Sequence, residues 1–130
     1  MESMAPIAIV TLLILSEYFA FSILVARARM KAGIEPPAIY GEPSFERYFR
    51  IHQNTLEQLV ITLPALWVFG YYVDAWYGAG LGLLFMVGRL MYCLGYAESA
   101  EKRTKGFIVG QLAQLILLLG GIIGAVMALF

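Results

Sequence analysis

Four long apolar stretches, joined by short polar connections, leave this chain almost no way to fold in water. They run from about Ala5 to Ala26, Leu59 to Val73, Tyr77 to Tyr96 and Gly106 to Phe130. A helix that crosses the hydrocarbon of a bilayer needs about 20 apolar residues. Hydrophobic residues make up 61% of the 130, against about 45–50% in soluble domains, and a domain this small cannot hide that much apolar surface. Four spans use roughly 80 residues and leave no room for a separate soluble domain. Residues 1–130 therefore read as a single membrane domain, an all-α integral membrane protein built as a four-transmembrane-helix bundle. The start, Met1-Glu2-Ser3-Met4, has no basic region of the kind a cleaved leader carries, so the first apolar segment is expected to be retained.

The placement of charge gives the orientation. All nine Lys and Arg fall on one side. Arg27, Arg29, Lys31, Arg47 and Arg50 surround the connection between the first two stretches, and Lys102, Arg103 and Lys105 lie between the last two. Arg89 sits in the half of the third stretch nearest that side, and the connection around Tyr72 to Gly78 carries only Asp74. By the positive-inside rule, loops one and three are cytoplasmic and both termini extracytoplasmic. Loop one holds Pro36, Pro37, Gly41 and Pro43, an extended connector that ends at a helix start, with Ser44 expected as its cap and Glu46 in the first turn. One cysteine, Cys93, and one histidine, His52, provide neither a disulfide nor a metal cluster.

The second apolar stretch is short. To reach across a bilayer it must draw in the polar turns before it, which places charge at the membrane boundary. In the stretch Phe45 to Glu57, a helix puts Arg47 about 60°, Asn54 about 40° and Glu57 about 20° from Arg50. Two arginines, an amide and a carboxylate thus share one face, while His52 points about 200° away. In the third stretch, Tyr92 and Tyr96 are four apart and share a face with Arg89. If the helix continues, Arg103 joins them within about 60°. Arginine forks grip carboxylates, and a carboxylate holds an ammonium, so this set suits a small zwitterion with more than one carboxylate. Glu17, mid-span, is costly unless buried or paired and reads as a polar contact between helices.

These residues carry a resemblance. Glu46-Arg47-x-x-Arg50-x-x-x-Asn54-x-x-Glu57 resembles the signature of the MAPEG family, membrane-associated proteins in eicosanoid and glutathione metabolism. Gly88-Arg89-Leu90-Met91-Tyr92-Cys93-Leu94-Gly95-Tyr96, followed by Arg103, resembles its second signature. The runs His52 to Glu57 and Lys102 to Gly106 look most like the microsomal glutathione transferase 3 branch, in a bacterial-like member. The resemblance implies four transmembrane helices per subunit, a homotrimer, and a glutathione site between neighbouring subunits. It implies that Arg50, Asn54, Glu57, Tyr92, Tyr96 and Arg103 line that site from one subunit, with Arg29 and His52 reaching it from the neighbour. Glutathione is then the co-substrate and no metal is needed.

The expected chemistry is thiolate activation. A guanidinium beside a thiol stabilises the anion, which is scarce at neutral pH for a free thiol of pKa near 8.5. Arg103 is the expected group, with a Tyr92 or Tyr96 hydroxyl donating to the sulfur. The partners expected are glutathione, an apolar electrophile or lipid hydroperoxide arriving from the bilayer, and membrane lipid, with no nucleic acid. The resemblance also marks two departures: Met30 and Gln58 stand where leukotriene-forming relatives carry an arginine and a tyrosine. This argues for a glutathione transferase, with peroxidase activity open to the same thiolate, and against leukotriene synthesis. Two rivals remain: a non-catalytic lipid-binding member of the family, and a small multidrug exporter built around Glu17.

Overall fold

Pro6, placed in the first turn where its missing N–H is no loss, opens helix α1 (Ala5–Ala32) in the computed structural model, which describes residues 3–130. Met1 and Glu2, part of the start read above, lie outside the described residues. Gly33 ends α1 in the left-handed region at φ 69°, where Gly33 N donates to Met30 O and Ile34 N to Arg29 O. Arg29 and Lys31 in the last turn oppose the helix dipole.

The cap of α2 (Pro43–Tyr72) corrects the expectation of Ser44. Glu42 is the capping residue, in extended backbone, and its carboxylate accepts from Ser44 N at 3.0 Å and Phe45 N at 2.7 Å. Pro43 then takes the first helical position, where its fixed φ is already helical. Pro64 lies inside α2. Asp74 caps α3 (Ala75–Glu98), accepting from Tyr77 N at 2.8 Å. After extended Ser99, one 3-10 turn (Ala100–Arg103) leads into α4 (Thr104–Met127).

The four helices alternate in direction. Ile7 near the start of α1 is buried beside Gly70 at the end of α2 and Gly78 at the start of α3. At the other end, Arg47 of α2 donates to the Ala97 carbonyl of α3 at 3.3 and 3.4 Å. Both termini therefore share one end of the bundle, and the two basic loops share the other. Helices α3 and α4 meet backbone to backbone: a Cβ on Gly88 would stand 2.5 Å from Gly110 N, and one on Gly106 would strike the backbone of Tyr92. Small residues permit this approach where lipid supplies no hydrophobic drive between helices. The interior divides in two: Ile7, Val10, Ile14, Leu66, Phe85 and Leu117 fill the end near the termini. Phe21, Ile51, Tyr92 and Cys93 fill the basic end. Large apolar side chains such as Ile9, Leu12, Phe19, Leu112 and Ile123 point outward, as on a surface that faces lipid.

The expected four-transmembrane-helix bundle assembling as a homotrimer is corrected here. The chain is all-helical with four helices, but three of them are long and apolar enough to cross a membrane: Ala5–Ala32, Ala75–Glu98 and Ala100–Met127. Helix α2 falls outside that set because its first half carries Glu46, Arg47, Arg50, His52 and Glu57, which the 14 apolar-rich residues from Leu59 to Tyr72 do not outweigh. The corrected architecture is a four-helix bundle of one chain, with three candidate spans and one amphipathic helix.

Candidate functional site

Arg89 is the hub of the basic end. It lies inside α3 at 1% exposure, the largest fully buried side chain in the bundle. Its Nη2 donates to Asn54 Oδ1 and to Thr55 Oγ1, both at 2.8 Å, which ties α3 to α2. Its guanidinium covers the Tyr92 ring at 4.1 Å. Tyr92 meets Tyr96 edge-on, with centroids 5.4 Å apart, and the Arg103 guanidinium lies 5.5 Å from the Tyr96 centroid. Arg89, Tyr92, Tyr96 and Arg103 form one ladder of two rings between two cations, buried at its Arg89 end and open at its Arg103 end.

The route to that ladder differs from the one expected. Helix α3 does not continue to Arg103; it stops at Glu98, and Ser99 at φ −162° turns the chain back. The 3-10 turn then folds onto the end of α3 so closely that a Cβ on Gly95 would strike the Lys102 carbonyl. A glycine at position 95 is what lets Arg103 return to Tyr96. Arg103 donates to the Ala100 carbonyl within its own turn and is otherwise exposed.

On α2, Arg50 and Glu57 are exposed and Asn54 half-buried, with Arg50 close enough to Tyr92 to act on it electrostatically, as Arg103 does. Among the described residues the one ion pair joins Lys102 and Glu98. Arg50 and Glu57 therefore share a face without neutralising each other. Asn54 has its oxygen taken by Arg89, which leaves its amide N–H groups as the donors it can offer.

Arg29 and His52 are not brought to this group. Arg29 donates to the carbonyls of Ala38 at 2.7 Å and Ile34 at 3.5 Å, and its guanidinium lies 4.7 Å over Phe45, so it braces loop one. His52 lies on the opposite face of α2, as its spacing from Arg50 requires, and stacks on Tyr18 of α1 with centroids 4.6 Å apart.

Sequence reasoning missed a polar layer between α2 and α4. Gln114 Nε2 donates to Gln58 Oε1 at 3.0 Å and Thr62 Oγ1 at 2.9 Å, and Gln111 donates to Gln58 Oε1 at 2.5 Å. Two glutamines three apart in an otherwise apolar helix were the available signal. A cavity of about 780 Å³ between the end of α1 and the start of α2 is lined by Arg27, Lys31, Glu42, Ser44 and Tyr48 among others, and by none of the expected site residues. No group of three or more His, Cys, Asp or Glu among the described residues could hold a metal ion.

Comparison with known proteins agrees with the signatures. The MAPEG family model matches residues 7–123. The chain is 44% identical over 116 residues to a Synechocystis protein of uncharacterised function, covering 89% of this chain and 85% of that one. It is 40% identical over 114 residues to human microsomal glutathione S-transferase 2, covering 86% and 78%. With guinea-pig leukotriene C4 synthase it shares 39% identity over 102 residues, covering 78% and 68%. The transferase among these relatives carries the type 2 name, where the sequence motifs look most like the type 3 branch.

Proposed function

The chain belongs to the MAPEG family, and from that premise we propose that it is a membrane-bound glutathione transferase. The observation that carries the reading is the open end of the ladder. Arg103 and the half-buried Tyr96 stand at that end, Arg50 acts electrostatically on Tyr92, and the exposed Glu57 follows two turns further along the same face of α2. Glutathione offers two carboxylates, one ammonium and one thiol. Arg50 takes a carboxylate, Glu57 the ammonium, and the amide N–H groups of Asn54 an oxygen. The thiol lies at the tyrosine ladder, where the Arg103 guanidinium stabilises the thiolate and a Tyr92 or Tyr96 hydroxyl donates to sulfur. Arg29, which braces loop one, and His52, stacked on Tyr18, are no part of the set.

The thiolate attacks an electrophilic carbon, forming C–S as the bond to the leaving group breaks, and the thiol proton passes to solvent. A lipid hydroperoxide presents the same thiolate with an O–O bond instead. Apolar acceptors enter from the bilayer against the outward apolar faces of the bundle. Gln58, held by Gln111 and Gln114, faces α4 rather than the ladder. With Met30 exposed near the end of α1, this favours apolar electrophiles in general over leukotriene synthesis.

The basic end is cytoplasmic and both termini extracytoplasmic, on the nine-to-zero placement of Lys and Arg. A reporter fused after Phe130 tests this, and cytoplasmic activity of that reporter overturns it. The test of function is glutathione-dependent conjugation of an aryl halide by the purified protein in lipid. Turnover that follows glutathione concentration supports the reading, whereas glutathione binding with no conjugation of any electrophile makes the chain a non-catalytic binder.

A further inference from the structure

Glu17 takes no part in the chemistry above, yet it is a carboxylate at 9% exposure in the middle of a membrane-spanning helix. Its Oε1 is buried without a hydrogen-bond partner. Arg89, across the interior on α3, has its Nη2 fully used by Asn54 and Thr55, while its Nε is buried without a partner. Glu17 and Arg89 lie close enough to act on each other electrostatically but form no direct ion pair. The third unpartnered buried side-chain atom among the described residues is His52 Nε2, on α2, whose ring stacks on Tyr18, the neighbour of Glu17. Three helices thus each carry one buried polar atom without a partner. Buried groups of this kind are satisfied by internal water, and a lone guanidinium in an apolar bundle needs a counter-charge.

We propose that Glu17 is a positioning residue for the glutathione site, holding the Arg89 guanidinium through bridging water. The proposal rests on the glutathione reading. Its force lies in what Arg89 does next. One nitrogen fixes the Asn54 oxygen, so the Asn54 N–H groups face the ligand, and the guanidinium face sets the Tyr92 ring that meets Tyr96. The titratable groups that act on Glu17 are Arg89 and Cys93 from α3; Tyr18 adjoins it on its own helix, with His52 of α2 stacked on Tyr18. Arg89 is the only one of these that carries a fixed positive charge.

The test is a double-mutant cycle with two readouts in lipid nanodiscs. Calorimetric titration gives glutathione affinity, and infrared difference spectra report whether Glu17 is a carboxylate. Glu17→Gln should weaken glutathione binding roughly tenfold, the size of a coupling within one shared network. Glu17→Asp should restore most of it. In an Arg89→Gln background, or Arg89→Lys if that variant does not fold, Glu17→Gln should add little, and the Glu17 band should change from carboxylate to protonated carboxyl in Arg89→Gln. Unchanged binding in Glu17→Gln overturns the proposal, as does a loss that adds in full to that of the Arg89 variant. If the unmodified protein binds no glutathione, the functional reading falls and the positioning role with it. The infrared arm then still reports separately whether Glu17 and Arg89 form a pair.

Discussion

Replacing Arg103 by alanine separates chemistry from scaffold more cleanly than any other change in this protein. The side chain is exposed, lies 5.5 Å from the Tyr96 centroid, and gives one of its five N–H donors to Ala100 in its own turn. An exposed cation–π contact is worth about 0.5–1 kcal/mol, so the fold should lose no more than about 1 kcal/mol. The thiolate should lose more. A positive charge within about 4–6 Å lowers a pKa by about 1–3 units, which takes a thiol of about 8.5 to between roughly 5.5 and 7.5. At about 1.36 kcal/mol per unit, that is roughly 1.4–4 kcal/mol of thiolate stabilisation. The assay is the ultraviolet thiolate absorbance of bound glutathione against pH, alongside turnover. In Arg103→Ala the titration should climb toward about 8.5, turnover at neutral pH should fall about tenfold or more, and binding should fall less. Arg103→Lys keeps the charge without the planar fork and should lie between. If Arg103→Ala changes neither titration nor turnover, the ladder does not activate sulfur and the assignment of its open end is wrong.

Four further outcomes follow from the same geometry. Glu57→Gln should weaken glutathione binding by about 1.5–3 kcal/mol in calorimetric titration, because a charge-assisted bond to the ammonium is lost, while thermal stability holds. Gly88→Ala should destabilise by about 1–3 kcal/mol in detergent-titrated unfolding, since the new Cβ meets Gly110 backbone at 2.5 Å; Gly80→Ala, which meets nothing within 4 Å, should not. Gln114→Leu should cost about 2 kcal/mol in the same assay, from three interhelical bonds at about 0.6 kcal/mol each plus an unsatisfied Thr62. The Ser44 and Phe45 amides hold the Glu42 carboxyl below the ordinary 4.5, so the cap is complete above that value and is lost as pH falls through the lowered one. Amide exchange at those two residues should accelerate there ahead of their neighbours.

Helical periodicity carried the reading where a single helix decided the outcome. The Arg50, Asn54 and Glu57 face, the opposed His52, and the Tyr92–Tyr96 pair are properties of one helix each, and the structure has them as spaced. What periodicity could not say is which helix lies opposite. Arg89 shares the tyrosine stripe, but its burial and its bonds to Asn54 and Thr55 depend on α2. Gln58 reads from sequence as a departure beside Glu57, and only α4 explains where it points. Arg103 reached the ladder for a reason that arithmetic along a continuous helix misses, because extended Ser99 and a bare Gly95 fold the chain back. The count of spans failed on α2 for an electrostatic reason: the charges that make it interesting for binding are the ones that keep it from being apolar enough.

The glycine contacts between α3 and α4 divide the molecule into a stiff half and a compliant one. With Gly88 against Gly110 and Gly106 against Tyr92, the two backbones have no side chains between them to flex, and Gly95 clamps the turn that joins them. Tyr92, Tyr96 and Arg103 are therefore mounted on one bracket and keep their mutual geometry whatever the surrounding lipid does. Helix α1 packs against its neighbours through the tips of Ile7 and Val10, which can change rotamer. Sequence drift in α1 can therefore alter its packing while the ladder on α3 and its turn stays where it is.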